Sequence, residues 1–219
     1  MSKISAAIIT YNEEKNIERC INSLIDIADE IIIVDSGSKD KTQKIASKLG
    51  AKVVINKFEG HIQQKNFAIT QTSYKWVLSL DADEALSDEL RNNILEIKTK
   101  LKGDGYSFNR LTNYCGKWIR HCGWYPDRKL RLFKKENGSW SGKNPHDKYI
   151  LEKGKAKLIK GDILHYTFYE VREHKNQIIK FSDIAAQSLF DLNKKSSWGL
   201  IIGKTLFKFV RNYFLKLGF

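Results

Sequence analysis

A short apolar run that ends in carboxylates lies in the N-terminal half of the chain: Lys75-Trp76-Val77-Leu78-Ser79-Leu80-Asp81-Ala82-Asp83-Glu84. The apolar part predicts a buried β-strand over Lys75 to Leu80. Asp81 and Asp83 follow two positions apart, so both side chains can reach forward from the strand end. Their oxygens are the ligands that Mg²⁺ and Mn²⁺ prefer. Adjacent carboxylates beside a buried strand are costly unless a cation or hydrogen bonds satisfy them, so the pair predicts a metal site.

Working outward, three further short apolar runs in the first hundred residues predict strands over Ile4 to Thr10, Glu30 to Val34 and Lys52 to Ile55. Helical patterns separate these runs, and Asn12 is the predicted cap of the first helix. Alternation of strands and helices is typical of βα units that feed a parallel sheet. We therefore predict an α/β fold with a Rossmann-like mixed sheet flanked by helices.

The second half of the sequence is rich in aromatic residues and predicts antiparallel or mixed strands. They cover Tyr106 to Arg110, Tyr114 to Ile119, Lys129 to Lys134 and Ile163 to Phe168. A long helix follows, with Val171, Ile178, Phe181, Ala185 and Leu189 on one apolar stripe.

Composition narrows the class of protein. The 219 residues include 42% hydrophobic and 29% charged residues, with only 2 Pro, which is typical of an ordered globular domain. Lys and Arg number 38 against 25 Asp and Glu, and the net charge of +13 predicts an anionic partner. Three cysteines are too few for a disulfide framework, and no apolar run approaches the length of a membrane span. These features predict a cytoplasmic protein whose membrane contact, where it has one, is peripheral.

The ends of the predicted strands carry the candidate chemistry, because ligands of open α/β sheets bind beyond the carboxyl ends of the strands. No Gly-x-Gly-x-x-Gly sequence follows the first strand and no P-loop sequence is present. Phosphate groups must therefore be held in another way. A divalent cation that joins a diphosphate to Asp83 would neutralise the charge of a leaving group.

Three segments together resemble the family 2 glycosyltransferases of the GT-A fold. They are Thr10-Tyr11-Asn12-Glu13-Glu14, Val34-Asp35-Ser36-Gly37-Ser38-Lys39-Asp40-Lys41-Thr42 and Leu80-Asp81-Ala82-Asp83-Glu84, in the order and spacing of the family. The later run Tyr125-Pro126-Asp127-Arg128-Lys129-Leu130-Arg131-Leu132-Phe133 and the segment Pro145-His146-Asp147 are similar to the bacterial lipopolysaccharide-core glucosyltransferases.

The resemblance implies a donor site for a nucleotide diphosphate sugar, most simply a UDP-sugar. Residues matching family positions that hold the nucleobase and ribose are Thr10, Tyr11, Glu13, Asp35 and Asp81. Tyr11 would pack on the base and Asp35 would accept from its N–H. Lys65 and Asn66 lie where the family also contacts the nucleotide, and Lys65 is expected to face the diphosphate.

The resemblance also implies a metal and a general base. Asp83, the second aspartate of the Asp-x-Asp motif, matches the ligand of a divalent cation (Mg²⁺ or Mn²⁺), and His165 matches a histidine that reaches the metal or the diphosphate. An inverting transferase needs a carboxylate that takes the proton of the attacking hydroxyl. Asp147 is the expected base and Asp127 the competing one. One or two of Trp118, Trp124, Tyr125 and Trp140 are expected to line the acceptor site.

The predicted function is inverting, metal-dependent transfer of a hexose to a lipopolysaccharide-core or lipid-linked glycan. Glucose is the hexose that we expect. Residues 1–105 would form the nucleotide-sugar-binding half and residues 106–191 the acceptor-binding half of one domain. Two alternatives stay open: a nucleotidyltransferase, which also uses paired aspartates and a metal, and a basic nucleic-acid-binding protein. The acidic strand ends argue against nucleic acid as the partner.

Residues 192–219 form a basic segment without any acidic residue. An apolar stripe at helical spacing contains Ile202, Leu206, Phe209, Tyr213 and Leu217, while Lys204, Lys208 and Arg211 lie largely away from it. This pattern predicts a helix on an anionic membrane surface, which would place the protein on the inner face of the cytoplasmic membrane. Packing of the stripe on the domain and a homodimer are the alternatives.

Overall fold

The computed structural model of the protein describes residues 2–143 and 146–218. Contacts divide the chain into two compact units. The first consists of Met1–Arg110 and Asp127–His165, and the second of Leu111–Pro126 and Tyr166–Phe219. These units follow boundaries different from those of the functional halves predicted from the sequence, because the segment from Asp127 to His165 packs with the first hundred residues.

The N-terminal half alternates strands and helices as predicted. Its elements are β1 (Ile4–Thr10), α1 (Ile17–Asn22), β2 (Glu30–Asp35), α2 (Thr42–Lys48), β3 (Lys52–Ile55), α3 (His61–Thr70) and β4 (Trp76–Asp81). The four strands are parallel in the order β3-β2-β1-β4. Every residue of β1 is buried, which explains why its sequence is a continuous apolar run rather than an alternating one.

Antiparallel strands extend this sheet. The next elements are β5 (Glu84–Leu86), α4 (Asp88–Lys98), β6 (Gly105–Tyr114), β7 (Lys117–Ile119), β8 (Asp127–Lys134), β9 (Gly138–Lys143), β10 (His146–Leu151) and β11 (Ala156–Phe168). The order of the main sheet is β3-β2-β1-β4-β8-β6-β11-β5, with β7 paired to β6, while β9 and β10 form a separate two-stranded sheet. The predicted α/β class with a mixed sheet is confirmed.

Local differences from the prediction have identifiable causes. The strand expected over Tyr114 to Ile119 is interrupted by a two-residue hairpin turn, in which Cys115 and Gly116 have φ of 50° and 86°. Positive φ at both positions is the requirement of a type I′ turn. Asn12 does not cap the first helix, because α1 begins at Ile17 and Asn12 lies in the preceding loop with φ of 54°.

Two helices complete the chain, α5 (Val171–Asp191) and α6 (Trp198–Val210), and a π-helical turn over Arg211–Leu215 continues α6. Ser197 caps α6, and its side chain accepts a hydrogen bond from the backbone N–H of Leu200. Among the described residues, no helix is both long and apolar enough to cross a membrane.

Candidate active site

The carboxyl ends of β1, β2 and β4 meet at one edge of the sheet. Thr10 pairs in register with Asp35, and Ile9 pairs with Asp81. The backbone N–H of Ala82 donates to the carbonyl of Ile9, which holds the start of the acidic turn against β1. Strand pairing therefore brings the predicted donor-site residues of three separate segments to neighbouring positions.

The loops after β1 and β2 are locked together by hydrogen bonds between backbone and side chains. The N–H of Asn12 donates to Ser38 Oγ over 2.8 Å, and the N–H of Lys39 donates to Asn12 Oδ1 over 2.8 Å. The N–H of Glu13 donates to Thr42 Oγ1 over 2.8 Å. These reciprocal bonds fix the loop that carries Tyr11, whose side chain is 54% exposed.

Asp35 is fully buried and its carboxylate is occupied by its own loop. Oδ1 accepts from the N–H groups of Gly37 and Ser38 and from Gln43 Nε2, and Oδ2 accepts from Ser38 Oγ. Gly37 has φ of 88°, a conformation that glycine adopts without strain. The structure therefore gives Asp35 a positioning role in the loop.

Thr10 and Glu13 are polar groups with unusual surroundings. Thr10 is buried, and its hydroxyl has no hydrogen-bond partner among the described residues. Buried polar groups are nearly always paired, so this hydroxyl is suited to a ligand. Burial raises the pKa of Glu13 to about 7, although a hydrogen bond from Asn16 acts in the opposite direction.

Asp81 is held by two buried cations. Lys65 Nζ lies 3.0 Å from Asp81 Oδ1, and an Arg131 guanidinium nitrogen lies 3.5 Å from Oδ2. Burial alone would raise the pKa of Asp81, but the charges of Lys65 and Arg131 outweigh it and hold the pKa well below its usual range. Arg131 also binds Glu84 at 2.9 Å. Asp81 is therefore a permanently charged member of an ion-pair cluster.

Asp83 and His165 form a second pair at this edge. His165 lies opposite Glu84 in the antiparallel pairing of β11 with β5, which brings its ring beside the acidic turn. Its Nε2 is 3.1 Å from Asp83 Oδ2. Burial lowers the pKa of His165, but the neighbouring Asp83 carboxylate outweighs burial and raises it. The structure thus brings together the two residues predicted as metal ligands.

The residues present fit a divalent cation that shares its coordination with a substrate. A carboxylate oxygen and an imidazole nitrogen, both common metal donors, lie 3.1 Å apart. In the described part of the chain, no group of three or more His, Cys, Asp or Glu side chains could hold a metal by itself. Substrate oxygens or water would supply the remaining ligands, as is usual for Mg²⁺ at phosphate-binding sites.

The two candidate bases have different environments. Asp147, on β10, lies 2.8 Å from Lys65 Nζ, so one ammonium group joins it to Asp81. Asp127, at the start of β8, pairs with Arg110 at 2.8 Å and with Lys129 at 3.0 Å. The Asp147 side chain is 9% exposed and that of Asp127 is 32% exposed. Pro145, predicted in the same segment as Asp147, lies outside the described residues.

The structure places Lys65, Asn66 and Trp140 in contact with other groups of the protein. The Lys65 ammonium does not stand open to a diphosphate, because it lies between two carboxylates and over the Trp140 ring at 4.4 Å. Both polar atoms of the Asn66 amide are bound to the backbone of Trp140 over 2.9 Å, so Asn66 holds β9 in place. Of the four aromatic residues among which one or two are expected at the acceptor site, Trp140 is buried, while Trp118 and Trp124 are exposed in the second unit.

Sequence reasoning missed the cations that neutralise the acidic edge. Arg131 is 3% exposed and Arg110 bridges Glu84 and Asp127, at 3.5 and 2.8 Å. A signal was present for Arg131, because it stands between Leu130 and Leu132 in the apolar part of the strand, Leu130 to Phe133. A charged residue in such a position is seldom buried without a partner.

Comparison with known proteins gives the family. The model of glycosyl transferase family 2 matches residues 5–151. An uncharacterized glycosyltransferase of Rickettsia typhi is 34% identical over 227 residues, covering 99% of this chain and 78% of the relative. The lipopolysaccharide core biosynthesis glycosyltransferase LpsC of Rhizobium meliloti is 29% identical, covering 96% of this chain and 80% of LpsC.

Solved structures agree on the fold. The crystal structure of TarS from S. aureus superposes with a TM-score of 0.56 at 18% identity, covering 75% of this chain and 36% of TarS. The curled mixed sheet with flanking helices is of the GT-A type that the motifs predicted. A family match that spans the whole acidic edge, together with relatives aligned along nearly the full length, shows that the chain belongs to glycosyl transferase family 2.

Proposed function

We propose that the protein is an inverting, metal-dependent hexosyltransferase that uses a nucleotide diphosphate sugar. The observation that carries the proposal is the pairing of Asp83 with His165 at the strand edge that also holds Thr10 and Asp81. Family membership favours sugar transfer over the two alternatives considered from the sequence, a nucleotidyltransferase and a nucleic-acid-binding protein.

The nucleoside would lie at the ends of β1 and β2. The unpaired Thr10 hydroxyl supplies one hydrogen-bonding group, and the exposed Tyr11 ring supplies a face for a base. Asp35 and its four donors keep this loop in place. UDP is the nucleotide that we propose, and S. aureus TarS, which shares the fold, has been crystallised with UDP.

Asp83 and His165 would hold a divalent cation, Mg²⁺ or Mn²⁺. The cation would supply positive charge that stabilises the departing diphosphate. Asp81 contributes indirectly, because Lys65 and Arg131 neutralise its charge and fix its position. Lys65 and Arg131 therefore act as positioning residues for Asp81. Asp83 is the aspartate of the motif that would bind the metal.

A carboxylate would take the proton of the acceptor hydroxyl as that oxygen forms its bond to the sugar C1 and the bond from C1 to the diphosphate breaks. We propose Asp147 for this role, since the shared Lys65 places it next to the donor edge. Asp127 is the second candidate, held by Arg110 and Lys129.

The acceptor that we propose is a lipopolysaccharide-core or lipid-linked glycan, and the transferred hexose is glucose. The relationship to LpsC, whose name assigns it to lipopolysaccharide core biosynthesis, supports this class of acceptor. The similarity of the Tyr125 to Phe133 run to core glucosyltransferases supports the choice of sugar.

A donor screen with matched variants tests the proposal. UDP-sugars are incubated with the protein and Mn²⁺ or a chelator, and release of UDP is measured. We expect release that needs the metal and is lost in Asp83→Asn. The control is Asp88→Asn, a carboxylate on α4 that is 96% exposed, which is expected to leave release unchanged. Metal-independent release, or full activity in Asp83→Asn, would contradict the metal assignment.

A further inference from the structure

An apolar and basic surface of the second unit is exposed in the part of the chain that the structure describes. We define this C-terminal surface as α6, the π-helical turn after it and the cavity-forming segment from Arg120 to Pro126. The apolar side chains of α6 are exposed, among them Trp198 at 80%, Ile202 at 62% and Phe207 at 63%. Water-exposed apolar area of this extent marks a surface that another body covers.

The charges of α6 are confined to one side. Lys204, Lys208 and Arg211 stand at positions i, i+4 and i+7, so they share a narrow face. Apart from Thr205 and the glycines at 199 and 203, the remaining circumference carries Leu, Ile, Val, Phe and Trp side chains. A helix with a wide apolar face and a basic strip is suited to the plane of a bilayer interface.

Acidic residues are absent from the C-terminal surface and from the sequence directly beside it. Neither residues 111–126 nor residues 192–219 contain Asp or Glu, while the two segments hold Lys117, Arg120, Lys194, Lys195, Lys204, Lys208, Arg211 and Lys216. The net charge of +13 is thus strongly concentrated here. Such a surface complements an anionic body, and its apolar bulk would find no burial against a nucleic acid.

A cavity of about 440 Å³ opens within the same unit. Arg120, His121 and Lys216 line it together with Tyr125 and the apolar Leu215. The Arg120 guanidinium lies over the Tyr125 ring at 5.4 Å from its centre. Basic groups beside apolar ones match a phosphate headgroup that continues into acyl chains.

We propose that the C-terminal surface binds an anionic phospholipid bilayer, with α6 lying in the interface and a lipid phosphate in the cavity lined by Arg120, His121 and Lys216. Trp118 and Trp124, which are exposed in the same unit, suit the headgroup level where tryptophan is enriched. This binding goes beyond the proposed transfer reaction and can be measured without substrates.

Vesicle flotation of the full chain tests the bilayer. Vesicles contain phosphatidylcholine alone or phosphatidylcholine with phosphatidylglycerol. We expect preferential binding to the anionic vesicles, weakened about thirtyfold by Lys204→Gln with Lys208→Gln. The matched control, Lys44→Gln with Lys48→Gln on exposed positions of α2, is expected to bind as the parent chain does. Equal binding to both vesicles, or equal loss in both double variants, would overturn the proposal.

Further arms separate other occupants of the surface. Arg120→Gln is expected to reduce binding to anionic vesicles about fivefold, and an unchanged affinity would remove the cavity from the proposal. Inorganic phosphate added at constant ionic strength should not release the protein from anionic vesicles. Release would show that the cavity binds free phosphate rather than a lipid headgroup. Light scattering tests a second copy. A dimer that becomes monomeric in Ile202→Ser with Leu206→Ser would overturn the bilayer as the partner.

Discussion

Replacement of Glu13 by Gln is expected to stabilise the protein above neutral pH. Glu13 follows β1, and burial raises the pKa of its carboxyl to about 7 against an ordinary value of 4.5. The nearby carboxylates of Asp83, Asp40 and Asp81 act in the same direction. The charged form is therefore less favourable in the folded protein than in the unfolded chain, and a neutral amide of the same shape removes that penalty.

The sign and the size follow from the two pKa values. Between about 4.5 and 7 the folded protein holds a proton that the unfolded chain has lost, so the free energy of unfolding falls as the pH rises through this window. Each pH unit between the values corresponds to about 1.4 kcal/mol. The raised pKa thus lowers the free energy of unfolding by about 1 kcal/mol at pH 5, where the folded protein must take up a proton, and by about 3 kcal/mol at pH 8, where the carboxyl is ionised in both states.

Urea unfolding at these two pH values, with a chelator present, measures the effect. The Glu13→Gln variant should exceed the parent chain by about 1 kcal/mol at the lower pH and about 3 kcal/mol at the higher one. Glu18→Gln, on an exposed position of α1, removes the same charge and should show no such difference. The reasoning is refuted if Glu13→Gln gains no stability, or gains the same amount at both pH values.

Four other substitutions test separate parts of the site. Asp35→Ala should raise the donor KM more than it lowers kcat and should cost about 1–3 kcal/mol in urea unfolding, because the N–H groups of its loop lose their acceptor. Asp147→Asn should lower kcat while calorimetry shows unchanged UDP binding, and the same pattern in Asp127→Asn instead would transfer the role of base. Lys65→Met should cost about 3–5 kcal/mol in urea unfolding, since it removes the ammonium partner of Asp147 and leaves Asp81 with Arg131 alone, and a neutral result would contradict the ion-pair cluster. Asn66→Ala should lose about 1–3 kcal/mol of stability by the same measurement, and an unchanged stability would mean that its bonds to Trp140 contribute nothing.

The parallel part of the fold was predictable because its signals are local. The predicted strands Ile4 to Thr10 and Lys52 to Ile55 coincide with β1 and β3. Each is a compact apolar or β-branched run followed by polar turn residues, so the pattern itself sets the ends.

The small sheet of β9 and β10 was not predicted, because contacts distant in sequence stabilise it. The sequence of β9, Gly138-Ser139-Trp140-Ser141-Gly142-Lys143, has little strand propensity. Asn66 binds the backbone of Trp140 from α3, and Tyr149 of β10 stacks on Phe133 with ring centres 3.4 Å apart. The sequence of β9 and β10 alone therefore does not reveal the contacts that stabilise this sheet.

The acids of the site were predictable for a similar reason, and the cations were not. Asp81 and Asp83 stand at a strand end, where a parallel sheet exposes its chemistry. Lys65 lies inside α3 and Arg131 inside β8, and their local sequence does not indicate which carboxylates they pair with. The sequence therefore predicted the acidic residues at the strand end, but it did not predict the buried cations that neutralise them.

In the function that we propose, this charge balance allows an edge with many carboxylates to receive an anionic diphosphate. The buried cations Lys65 and Arg131 pair with Asp81, Glu84 and Asp147, while Arg110 and Lys129 pair with Asp127. Each of these carboxylates is thus already neutralised by a cationic side chain of the protein. Asp83 differs, since it pairs with the His165 ring, which is itself a potential metal ligand. The protein cations neutralise the rest of the edge, and this arrangement supports a metal that binds at Asp83 together with the diphosphate.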